Sequence, residues 1–130
     1  MPMIHKTQEE VSRCNRIAAE AFLQIIAGIG KEVFQTWECS EKMFTFYHDM
    51  PTLILKVTAA ALQGRVLVSL DEGKDTYTIT LITENNEVKR IINNICCDML
   101  GFIINENINY KDVKEETSFL AKHKIFLNKY

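Results

Sequence analysis

Between Arg65 and Thr83 the chain alternates with a period of two, and this alternation constrains the fold more than any other feature. Val66, Val68 and Leu70 fall on one side of the first run, and Tyr77, Ile79 and Leu81 on one side of the second. Thr76, Thr78 and Thr80 take the opposite side. Successive side chains of a strand point to opposite faces, so the pattern reads as an antiparallel hairpin over 65–83 with one buried and one wetter face. Asp71-Glu72-Gly73-Lys74 supplies turn chemistry, with Gly73 expected at positive φ.

A long amphipathic helix precedes it. From Thr7 to about Gly28, Val11, Cys14, Ala18, Phe22 and Ile25 recur at steps of three and four, and Ile17, Ala21 and Ile26 widen the apolar stripe. Thr7 and Glu10 have the spacing of a capping box, and Glu9 and Glu10 suit the positive end of the helix dipole. Gly28 and Gly30 are expected to end or bend this helix. A second helix is expected over 86–100, where Val88, Ile91, Ile92, Ile95, Cys96 and Met99 match the helical template, with Asn85 or Asn86 as cap and Gly101 as terminator.

Asp49 to Gly64 admits two readings. Leu53-Ile-Leu-Lys-Val suits a strand. The helical reading is preferred, because Asp49 offers an N-cap, Pro51 a first-turn position and Gly64 a stop. Lys42 to His48 alternates weakly and suits a short strand. A further helix is expected from Tyr110 to about Lys122, with Ile125-Phe126-Leu127 docked or paired after it. The expectation is thus α+β: a small antiparallel sheet built on the 65–83 hairpin, with the N-terminal long helix and the 86–100 helix packed on one face. At 130 residues and 47% hydrophobic composition, the chain is read as a single globular domain, 1–130.

Little in the sequence concentrates chemistry. The four cysteines, Cys14, Cys39, Cys96 and Cys97, are read as structural free thiols rather than disulfide partners. No C-x-x-C, H-x-x-x-H or H-E-x-x-H spacing occurs, so neither a metal nor a cofactor is expected. His48-Asp49 is the one His–carboxylate neighbour pair, and its expected role is to end a strand and cap a helix. Asp71, Glu72 and Asp75 cluster in a turn without the spacing of a calcium loop. Gly28-Ile-Gly30-Lys31 lacks the strand that precedes a phosphate-binding loop. No catalytic residue is assigned, and the chain is read as a non-enzyme.

The order helix, hairpin, helix is similar to that of the double-stranded-RNA-binding module. That module implies a basic cluster at the second helix, whereas Glu87-Val-Lys-Arg-Ile-Ile carries one basic pair. With a net charge of −2, no nucleic-acid partner is expected. No apolar run approaches the roughly 20 residues of a membrane span, and no secretory signal opens the chain, so a cytoplasmic location away from membranes is expected.

What stands out is aromatic. Phe34, Trp37, Phe44, Phe46 and Tyr47 gather in one short segment, and Trp and Tyr favour interfaces and pockets. The first helix also carries more apolar surface than one sheet face covers. The expectation is a protein-interaction or adaptor module that self-associates as a homodimer through the first helix or the 37–47 segment. The alternative is a small-ligand-binding domain with its pocket beside residues 34–47.

Overall fold

The computed structural model describes residues 7–109. The order is α1 (Gln8–Gln35), β1 (Glu41–Tyr47), β2 (Met50–Thr58), β3 (Gln63–Asp71), β4 (Thr76–Thr83), β5 (Val88–Ile95), a 3-10 turn (Cys97–Met99) and α2 (Leu100–Ile108). The fold is α+β. The five strands form one antiparallel meander in the order β1-β2-β3-β4-β5. The expected helix from Tyr110 and the 125–127 segment lie outside the described residues.

The capping box forms as the spacing predicts. Glu10 N–H donates to Thr7 Oγ1 at 3.1 Å, and Thr7 N–H donates to the Glu10 carboxylate at 2.9 Å. α1 runs past Gly28 and bends at Gly30, whose φ of 85° breaks the helical geometry. Cys14, Ala18, Ala21 and Ile25 are its buried stripe.

Hairpin residues Val66, Val68, Tyr77, Ile79 and Leu81 face the helices, joined by Leu53, Leu55 and Val57 of β2. Ala18, Ala21 and Ile25 of α1 and Leu100, Ile104 and Ile108 of α2 complete this core, so both helices pack on the same face. Gly101 sets their approach: a Cβ there would stand 2.6 Å from the Ile25 carbonyl oxygen. The opposite face is less wet than the threonines suggest. Thr76 and Thr78 are half-buried, but Thr80 is 2% exposed, flanked in the sheet by Leu67 and Ile91. Beside it, the Thr52 and Ser69 hydroxyls are hydrogen-bonded at 2.8 Å and Thr52 Oγ1 donates to the Met50 carbonyl at 2.9 Å, so the buried pair is satisfied with a backbone acceptor.

Five local expectations are corrected. Residues 50–58 form strand β2, not a helix, because His48 and Asp49 take φ of 51° and 65° and close a two-residue hairpin to β1. Asp49 is therefore a turn residue, not a cap. Gly64 is no helix stop; it lies in β3, where a Cβ would meet the Ile82 carbonyl oxygen at 2.0 Å. The 86–100 segment is not a helix either: residues 88–95 pair with β4 as β5, and the later helix is α2 at 100–108. In the β3–β4 turn, positive φ falls on Asp75 (58°) rather than Gly73, and Asp71 Oδ1 accepts from the Gly73 and Lys74 amides.

Candidate interaction surface

The two edges of the sheet differ in construction. β5 has two register shifts against β4, and Asn94 within it takes a φ of 61°. Its basic side chains are engaged, Lys89 Nζ donating to the Ala61 carbonyl and Arg90 Nη1 to Asn107 Oδ1. Bulges and charges of this kind blunt a strand against further pairing. β1 carries charges too, Glu41 and Lys42, both at its start, but no bulge. All seven of its residues pair in unbroken register with β2, from Glu41↔Lys56 to Tyr47↔Met50, and none takes a positive φ. Among the described residues its other side pairs with no strand.

Beside that edge runs an apolar groove of about 320 Å³. Ala18, Ala19, Phe22 and Leu23 of α1 form one wall, and Lys42, Met43 and Phe44 of β1 the other. Leu23 is 65% exposed and Phe44 39%, two large apolar groups left open on facing walls, while Met43 alternates to the other face of the strand. Phe44 lies opposite Leu53 and therefore on the helix-facing side of the sheet. Lys42 Nζ sits 4.2 Å from the Phe22 ring centroid, a cation–π contact that keeps its charge at the rim.

The five aromatics of the 34–47 segment divide between two roles. Trp37 is 0% exposed and donates its indole Nε1–H to Asn105 Oδ1 at 2.9 Å. Phe34 packs between Trp37 (5.1 Å between centroids) and Phe22 (5.3 Å). These two rings belong to the core or its margin. Phe44, Phe46 and Tyr47 lie on β1, where Phe44 lines the groove and Tyr47 meets the His48 ring at 4.2 Å. Of the α1 wall, Ala18 and Phe22 belong to the stripe read from the sequence, while Ala19 and Leu23 were not singled out. The signal for this wall was Leu23, an apolar residue outside both flanks of the buried stripe.

The thiols bring no chemistry together. None of the four is in a disulfide. Cys14 is buried and donates from Sγ to the Thr45 carbonyl, as packing predicts. Cys39 is half-buried, and that burial pushes its thiol above the usual range. Cys96 and Cys97 are exposed, contrary to the structural reading, because the segment is a strand end and a 3-10 turn rather than a packed helix. Among the described residues no group of three His, Cys, Asp or Glu side chains is placed to hold a metal ion, and no helix is long and apolar enough to cross a membrane.

Compared with family models, curated proteins and solved structures, the chain matches none.

Proposed function

We propose that the chain is a non-enzymatic protein-interaction module that self-associates through the β1 edge and the adjoining face of α1. One observation carries this reading: the regular, unbulged edge strand lies against a groove whose walls expose Leu23 and Phe44. Helix–strand grooves of this shape accept an extended segment, because main-chain hydrogen bonds supply affinity and alternate side chains enter the groove. Val11, Val88, Ile91, Met99 and Phe102 are exposed elsewhere, so what supports this surface over the others is the groove beside a regular edge strand rather than exposure alone.

Sedimentation over a wide concentration range tests it. A dimer in the micromolar range is expected, and a monomer at high micromolar concentration overturns it.

The second reading, a small-ligand pocket, draws on a shallower hollow of about 230 Å³ lined by Phe22, Phe34, Cys39, Ser40, Glu41 and Lys42. It lies beside the aromatic segment and has both apolar and charged walls. A metabolite that raises the melting temperature of a monomeric chain would move this reading ahead.

A further inference from the structure

Resting on the self-association reading, we infer that the occupant of the β1 edge is β1 of a second copy, paired antiparallel about Phe44 so that two sheets join into one of ten strands.

The argument starts from the sheet's asymmetry. Both edges carry charges, but β5 is bulged while β1 is regular along its whole length, so β1 is the edge better shaped to receive a strand. β1 also suits itself as a partner. In antiparallel pairing centred on Phe44, Phe44 faces Phe44, Met43 faces Thr45, Lys42 faces Phe46 and Glu41 faces Tyr47. Like charges never meet, although the strand carries both a Glu and a Lys. Shifting the centre to Lys42 would set two ammonium groups opposite each other, which is destabilising.

The faces also match. Lys42, Phe44 and Phe46 alternate with Met43 and Thr45, and the Phe44-centred register sets each residue opposite one of the same parity. The helix-facing side of one sheet therefore continues into the helix-facing side of the other. Each Phe44 stands at the rim of its own groove, where a second aromatic ring would cover Phe22, Ala19 and the exposed Leu23. A two-fold axis through Phe44 makes the contact isologous and closed, so pairing stops at two copies. The blunted β5 edges at the two ends of the joined sheet then prevent further growth.

Because residue 44 is predicted to face itself, charge exchange at that position tests the register. Phe44→Asp and Phe44→Lys should each raise the dimer Kd by about ten-fold or more, since each sets like charges face to face. Mixed together, the two variants should recover a heterodimer. Phe44 is partly exposed at an edge, so both variants should fold, and circular dichroism with thermal melting checks that they do. As a second measurement, p-benzoylphenylalanine placed at position 44 of the otherwise native chain should cross-link to residues 42–46 of a second copy. Variants that dimerise as tightly as the native chain, mixtures that form no heterodimer, or cross-links confined to other elements would overturn the β1 pairing while a native dimer still upheld self-association. A monomeric native chain would remove both.

Discussion

Trp37 at the end of α1 and Asn105 in α2 are joined by a 2.9 Å hydrogen bond from the indole N–H to the amide oxygen, 68 residues apart in sequence. The ring is shut from solvent, so this donor has no water to turn to. Asn105 Oδ1 also accepts from Asn109 Nδ2 at 2.7 Å, and Asn109 donates in turn to Thr36 Oγ1. The short network fixes the C-terminal end of α1 against α2. β1 follows directly after α1, so the same network helps place the edge strand.

Asn105→Leu removes the acceptor and leaves the indole N–H buried and unpaired. The expected cost is about 1–3 kcal/mol in denaturant unfolding. Trp37→Phe, which removes the donor and shrinks the ring, adds a packing loss. In the double variant the two effects should add to less than their sum, because the hydrogen bond can be lost only once. Strictly additive losses would show that the bond contributes nothing.

The hairpin at 65–83 was legible because both strands alternate regularly. β5 was not, and its bulges explain why. The register shifts place Ile95 opposite Tyr77 and Ile92 opposite Ile79 on the helix-facing side, and Ile91 opposite Thr80 and Val88 opposite Ile82 on the other. Residues three apart thus share a face, reproducing helical spacing in a strand. The contrary signal was the density of β-branched residues. β2 was misread for a different reason. Asp49 and Pro51 carry helix-start chemistry, but His48 and Asp49 form a tight turn without the Asn-Gly or Asp-Gly pair that usually marks one. The candidate surface was half legible: Phe44, Phe22 and Ala18 stood out as aromatic or apolar, while their meeting in one groove depended on knowing which strand lies at the edge.

The thiols should separate by rate. At neutral pH a thiol reagent should modify Cys96 and Cys97 first, since both are exposed. Cys39 should follow slowly, because burial holds its thiol protonated and its Sγ donates to the Glu41 carbonyl. Cys14, 1% exposed, should react only when the chain unfolds. Peptide mapping by mass spectrometry after timed quenching reads the order. Cys14 reacting with the first pair would contradict the packing of α1 on β1.

Tyr77 gives the stability a pH dependence on the alkaline side. Burial raises its phenol above the ordinary value, and the charges of Glu20, Cys97 and Asp75 act in the same direction. The unfolded chain then releases this proton more readily than the folded one, at about pH 10. Below that value both states hold the proton and the native stability is complete. As pH rises from there toward the folded value, ionisation favours the unfolded chain and stability falls. Tyr77→Phe keeps the ring between Leu70 and Ile95 but has no proton to lose. Other tyrosines and the lysines titrate in the same range, so the informative quantity is the difference between native and variant unfolding free energies. That difference should be flat from pH 6 to 9 and should shift in favour of the variant above about pH 10. A difference that stays constant through the alkaline range would mean that the Tyr77 hydroxyl reaches water, and that the face it packs on is open where the structure has it closed.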